Sequence, residues 1–359
     1  SAAVRLLAIW SANHYFSGHL CHEVLELLVA YVYLHPLTTV APNSAMAGFY
    51  QALTRLSTHN WESDPLIIDL SDNNSIITPA VHVEIINTFR AIRLTSSDPH
   101  QRHHHPLNVP MYIITSCDKA VDFEATLAVK SPEKAVLGMI VQAAKVSAKK
   151  LLSWMASASV TGGFLPKNMM SRSSSYWLSY QDQLAEIMGN QSIQRNCNVL
   201  AHFNKAIISS YPRRGPPVAR LAVFANLSPH ESSMTNLIVK EAESTTNPIQ
   251  EEVFENLRVT FKGEALFFWN SLSGKEICMC WRPSLFMPKK FSVLQANYVI
   301  PIDDEGPPTD SKKRRKIEDS QSSTIGIDSS IPIVVPNVLE IVSNIVDSSD
   351  GMISNIVIN

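Results

Sequence analysis

The sequence lacks any apolar run of roughly 18 or more residues, so no segment reads as a bilayer-spanning helix. No secretory leader pattern opens it. Cysteine is scarce and odd in number, five in 359 residues, at positions 21, 117, 197, 278 and 280. That count gives no even disulfide framework. Cys278 and Cys280 would share one face of a strand, but no second Cys or His pair completes a zinc site. We therefore expect reduced, buried thiols in a reducing compartment. Charge of one sign is missing too: 30 Lys and Arg against 32 Asp and Glu give a formal net charge of -2. Any nucleic-acid-binding surface must then be local.

The motifs of common catalysts are also absent. Thr161-Gly162-Gly163 is a lone glycine pair without G-x-G-x-x-G or a Walker lysine, so it makes no phosphate cradle. No serine sits in G-x-S-x-G, and Cys117-Asp118 has no histidine placed beside it by any pattern. The stretch "LSTHNWESDPLIIDLSDN", residues 56–73, raises the sharpest question, because Asp64, Asp69 and Asp72 flank one short apolar run. Two-metal nucleotidyl transfer needs carboxylates converging on one point, usually D-x-D on a strand. Here both spacings are odd, which sends neighbours to opposite faces, and no Gly-Ser turn precedes them. They read as solvated strand ends. His103, His104 and His105, with His100 nearby, are consecutive in a loop and do not converge as ligands. His14, His19, His22 and His35 fit ordinary helix use. No catalytic residue, metal, cofactor or small-molecule substrate is expected.

What is present is a hydrophobic fraction of 45% at a mean hydropathy of +0.01, enough for a sizeable core. The length favours two domains and a tail, an α+β multidomain chain. The first residues read as a helix already under way, with no initiator Met, so we expect the C-terminal piece of something longer. Residues 1–98 read as helical. Val4, Leu7, Ala8 and Ser11 make one face of a first helix. Leu20, Val24, Leu27, Leu28 and Tyr31 make a buried stripe that Pro36 ends. Ser44 caps a third helix to Leu56. "PLIIDL" is a short strand, and Thr78-Pro79 starts a helix with Val81, Ile85, Phe89 and Ile92 inward.

Residues 99–110 are polar and Pro-rich, a linker. Residues 111–300 read as an α/β domain with a mixed sheet. Its expected strands are 111–115, 219–225, 264–269 and 276–281, with helices 131–154 and 250–261 packed on it. Tyr176 to about Phe203 reads as weakly helical. In the hairpin, Phe268 and Leu266 should share one side and Trp269 the other, with both sides covered. Residues 301–330 are charged, Ser-rich and expected to be disordered. Residues 331–359 regain apolar character and should dock on the α/β domain.

Two basic clusters stand out. Lys312, Lys313, Arg314, Arg315 and Lys316 form an extended ladder of cations in a flexible context, a candidate nuclear-import signal read by an importin. Arg213 and Arg214, in "SYPRRGPP", are candidates for phosphate contact. So are Lys145 and Lys149, on the polar face of the helix that starts near Ser131.

Several ordered blocks carry a resemblance. "SGHLCHEVLELLVAYVYLHP", "PNSAMAGFYQALTRLSTHNWESDPLIIDL", "ANLSPH", "EALFFWNSLSGKEICMCWRP" and "PIVVPNVLEIV" resemble, in that order, the C-terminal part of the nucleolar protein 6 (Nrap) family. The resemblance covers about 1–300 and resumes near 331. It implies components of the small-subunit processome, in the nucleolus of the nucleus, that mature the small-subunit ribosomal RNA. It also implies two tandem modules, each a nucleotidyltransferase-like domain, a helical domain and a further α/β domain. This chain would supply the second module's helical domain, of the poly(A) polymerase/oligoadenylate-synthetase-like substrate-binding type, and its final α/β domain. The implied function is a non-catalytic scaffold that binds pre-ribosomal RNA and other processome proteins. The alternative is a set of accessory domains of an active nucleotidyltransferase whose catalytic domain lies upstream. Family relatives can carry amides where this chain has acids around Trp61, Pro65 and Leu66, which makes Asp64, Asp69 and Asp72 structural. The run from about 302 to 328 is longer and more polar than the family segment. The import reading of Lys312 to Lys316 therefore rests on local chemistry alone.

Overall fold

The computed structural model describes residues 1–37, 39–71, 76–95, 109–118, 131–160, 187–189, 192–203, 248–272, 274–287, 289–290, 299–301 and 333–359. Three helices open it: α1 (Ala2–Asn13), α2 (His22–Leu34) and α3 (Ala45–Thr58). The hydroxyl of Ser44 accepts from the Ala47 amide at 3.2 Å, so the expected cap is in place. Helix α2 stops short of Pro36, which disfavours helical backbone at the residue before it. Its buried face is Val24, Leu25, Leu28, Val29 and Val32, turned slightly from the expected stripe. Tyr31 is thereby brought to the rim, where Arg55 lies 4.5 Å over its ring and donates to its hydroxyl at 2.7 Å. Thr78 caps α4 (Pro79–Thr95) as read from the sequence, accepting from the Val81 amide at 3.4 Å.

The expected break between residues 98 and 111 does not separate two folding units. Strand β1 (Leu66–Ile68) pairs in parallel with β2 (Ile113–Thr115), Leu66 opposite Ile113 and Ile68 opposite Thr115. Helix α5 (Lys134–Val160) packs along α3, and its Val136, Ile140, Ala144 and Leu151 share one core with α1, α2 and α3. The cause is two-sided burial. Ile113 enters that core, while Ile114 meets Ile85 and Phe89 of α4 in a smaller one. A strand with both faces apolar is satisfied only between two layers, and α4 supplies the second. Strand 113–115 and helix 134–160 thus complete the first unit and not the sheet of the second.

That second sheet has the order β4-β5-β3-β9 and is antiparallel throughout, not mixed. Its strands are β3 (Val199–Phe203), β4 (Ala265–Trp269), β5 (Glu276–Trp281) and β9 (Ile353–Ile358). Among the described residues of the region read as weakly helical, Ile187 and Met188 and the short α6 (Ser192–Asn196) are helical, and the chain then turns into β3, a central strand with alternating burial. Helix α7 (Pro248–Thr260) covers one face of the sheet. A third, three-stranded sheet sets β8 (Ile333–Pro336) between β6 (Lys289–Lys290) and β7 (Val299–Pro301). Asn337 then caps α8 (Val338–Asp347), whose Ile341 and Ile345 are fully buried. The expected strand at 219–225, residues 99–108 of the linker and the expected tail at 302–330 lie outside the described residues.

The β4–β5 hairpin sits between the two cores. Phe268 and Cys278, with Leu266 and Cys280 beside them, face the helical core. Phe267, Trp269, Ile277 and Met279 face α7 and α8. The expected sidedness holds, and both sides are covered by the chain itself. Direct bonds fix the junction: the Trp269 amide donates to the Tyr15 carbonyl at 3.1 Å, and His19 Nε2 lies 2.7 Å from the Phe267 carbonyl oxygen.

Candidate nucleic-acid interface

Helix α5 is 27 residues long, carries lysine at 134, 145, 149 and 150, and has no aspartate or glutamate. Its apolar side is spent on α1 and α3, which leaves its cations on the outer side. Lys134 pairs with Glu62 at 2.7 Å, an exposed bridge of small energetic weight. Lys145 and Lys149 are exposed, four residues apart and so on one side, and neither has an ion-pair partner among the described residues. The structure thus brings this pair together as the sequence suggested. Arg213, Arg214 and Lys312 to Lys316 lie outside the described residues.

The carboxylates are held by local structure. Asp69 Oδ1 accepts from the Ser71 amide at 3.1 Å and from its hydroxyl at 2.5 Å, and Oδ2 accepts from the Ile77 amide at 3.2 Å. That carboxylate closes the loop into α4. Asp64 pairs with Arg90 at 3.3 Å and accepts from Ser63 at 2.9 Å. Asp72 lies outside the described residues, as do His100 and His103 to His105. Trp61 is buried, its indole donating to the Leu56 carbonyl at 3.0 Å. No group of three or more His, Cys, Asp or Glu among the described residues is placed to hold a metal. Asp64 also lines a cleft of about 430 Å³ with Arg55, His59 and His82. There, burial and then the Arg55 charge push His59 down to about 4, so it is neutral.

The thiols are free, but not uniformly buried: Cys117 is exposed and Cys21 and Cys280 are half-buried. Burial pushes Cys280 up to about 11, and a hydrogen bond to Cys197 with burial holds Cys278 higher still. Neither is a nucleophile at neutral pH. Two features escaped the sequence. One is a Tyr15–Glu276–His202 chain, buried at Tyr15 and Glu276 and half-buried at His202, that joins residues far apart in the sequence. The other is His14, half-buried at the end of α1, whose Nε2 has no hydrogen-bond partner among the described residues. No spacing rule links such positions. The only local signal was the aromatic density of "WSANHYF".

The family model described as Nrap protein PAP/OAS1-like domain 5 matches residues 1–170, and that of Nrap protein domain 6 matches residues 194–356. Nucleolar protein 6 of Mus musculus is 24% identical over 297 residues, covering 81% of this chain and 21% of the mouse protein. Nucleolar protein 6 of Xenopus tropicalis is 23% identical over 361 residues, 98% of this chain and 25% of that protein. U3 small nucleolar RNA-associated protein 22 of Saccharomyces cerevisiae is 37% identical over 70 residues, 20% of this chain and 6% of the yeast protein. The chain spans about a quarter, or less, of the length of these relatives. The two matched domains follow one another across nearly all of its residues, and they divide it where the fold does, after α5 and before β3. This chain belongs to the Nrap family.

Proposed function

We propose that this chain is a non-catalytic scaffold module of a ribosome-biogenesis factor, binding pre-ribosomal RNA and partner proteins during small-subunit rRNA processing. Its relatives are named as nucleolar and as U3 small nucleolar RNA-associated proteins, which puts the chain in the nucleolus and in ribosome biogenesis. None of these names is that of a transferase, in keeping with a module that does no chemistry itself. The observation that carries the RNA reading is the acid-free helix α5 with Lys145 and Lys149 exposed and without an ion-pair partner among the described residues. A duplex or single strand is attracted through its phosphates, and cations without a carboxylate nearby are the groups that supply this. Arg213 and Arg214 are secondary phosphate contacts, and Lys312 to Lys316 engage an importin. Partner proteins of the small-subunit processome take the remaining surface.

Ultraviolet cross-linking of the full-length protein to RNA, with adducts mapped by mass spectrometry, tests the reading. Adducts should fall on peptides holding Lys145 and Lys149. Adducts confined to other regions of the full-length protein would overturn it for this chain.

A further inference from the structure

A groove of about 570 Å³ runs between the end of α1, the outer side of α5 and α6. Among the described residues its lining holds no carboxylate; His14, with the buried Phe16 behind it, stands on one side, and Gly138, Gln142 and Val146 on the other. The His14 ring lies parallel to Phe16, with centroids 5.8 Å apart and 7° between planes. His14 Nε2 is enclosed and has no hydrogen-bond partner among the described residues. Burial pushes this ring down to about 4, so it is a neutral imidazole with a donor and an acceptor nitrogen. A buried polar atom without a partner is uncommon. The α5 wall is flanked by cations. Lys149 follows Val146 by three residues and Lys150 by four, so helical spacing sets one on each side of that row. Val146 itself is 42% exposed, which leaves an apolar ridge between them.

We infer that this groove takes the base of an unpaired RNA nucleotide, while Lys145, Lys149 and Lys150 hold the flanking phosphates. The inference rests on the RNA-binding reading of α5 and adds which form of RNA is bound. Single-strand binders combine a cationic track with aromatic surfaces for bases; here the half-buried His14 ring is that surface, backed from the core by Phe16. A duplex offers the same phosphates but keeps its bases stacked and out of reach. An acidic peptide would satisfy the lysines but has no need of a neutral aromatic ring beside them.

Binding is measured by fluorescence anisotropy on the 359-residue chain, with a labelled single-stranded RNA of about ten nucleotides and a duplex of the same length. The single strand should bind about tenfold or more tighter. Gly138→Leu is the informative variant, because a side chain started at Gly138 meets nothing within 4 Å and so projects into open space at the groove. It replaces a helix-interior glycine by a better helix former, so the fold is kept. It should weaken the single strand about tenfold and leave the duplex unchanged. The double variant Lys145→Gln and Lys149→Gln should weaken both RNAs and flatten the salt dependence by roughly 0.7 per lost contact for the single strand. Equal binding of both RNAs, lowered by the lysine changes and untouched by Gly138→Leu, would overturn the base pocket and leave the phosphate surface standing. No binding of either RNA would remove the RNA reading itself. Competition by poly-glutamate that Gly138→Leu abolishes would make the groove a protein-docking site and sink the inference.

Discussion

Tyr15 donates its phenolic hydrogen to Glu276 Oε1 over 2.6 Å, joining the end of α1 to the first residue of β5. The other carboxylate oxygen lies 3.6 Å from His202 Nδ1 on β3. Tyr15 holds a φ of 63°, a left-handed conformation that costs an L-residue roughly 1–2 kcal/mol. The fold sustains it because the same residue gives its carbonyl to Trp269 and its ring to the helical core. A strained residue that serves both units at once is a latch between them.

Tyr15→Phe keeps the ring and removes the donor, leaving the buried Glu276 with one partner fewer. The cost should be ~1–3 kcal/mol by urea unfolding, in the range for an unmet buried acceptor. A loss below about 0.5 kcal/mol would mean that water reaches Glu276 freely.

Phe268 is fully buried on the side of the hairpin that meets α1, with its ring 6.5 Å from that of Phe16. Phe268→Ala should cost roughly 3–5 kcal/mol, because the cavity opens where two units meet and neither can collapse into it alone. An equal loss should follow from Phe267→Ala on the other side, where α7 and α8 close over the sheet. Thermal unfolding of both variants checks the pair. A near-neutral Phe268→Ala would show that the helical unit does not depend on the sheet.

Gly18 has no room for a side chain, since an added Cβ would land in the Phe254 ring. That ring cannot swing away: it stacks on Trp269 with centroids at 5.6 Å and sits edge-on to His19 at 6.4 Å. Gly18→Ala should therefore destabilise by ~1–3 kcal/mol through overpacking, although Ala is otherwise the milder residue for backbone entropy. Gly263, with nothing within 4 Å, is the control and should tolerate Ala far better.

Helix boundaries were legible because caps act over three residues: Ser44 and Thr78 do what their sequence positions said. The hairpin was legible for the same reason, its sidedness being fixed by period-two alternation through Leu266 to Trp269. What failed was non-local. Nothing in "MYIIT" says whether it pairs with residue 66 or with residue 277, since a buried three-residue strand has no side to declare. The β3 strand follows a short helix and has only five residues, too few to show a period against the polar residues before it. His14 looked ordinary because its missing partner is a property of the groove and not of its neighbours in sequence.

Stability should fall as the medium is acidified from about pH 6.5. Burial pushes His14, His19 and His59 from an ordinary 6.5 to about 4 in the fold. The unfolded chain then binds more protons than the folded one between these values, so stability present above pH 6.5 is lost as pH falls toward 4. For His19, only 4% exposed, the effect is roughly 3 kcal/mol across the window. Urea midpoints at several pH values should show it, and His19→Leu should reduce the slope by about one proton. A flat profile from pH 7 to 5 would contradict the burial of these rings.

Lys312 to Lys316 are five successive cations set among Ser and Asp. An importin groove reads extended cations through acidic and aromatic side chains, so the ladder needs no fold around it. Replacing Lys313, Arg314 and Arg315 by Ala in a fluorescent reporter fused to residues 300–330 should move that reporter from nucleus to cytoplasm. The same change in the whole chain should leave its unfolding midpoint where it was, because a run of five cations set among Ser and Asp brings no apolar side chain to a core. A reporter that stays nuclear would reduce the cluster to a solvated charge run. Nuclear entry would then have to come from other parts of the protein or from a partner that carries it in, and the triple substitution should be silent in cells as well as in the reporter.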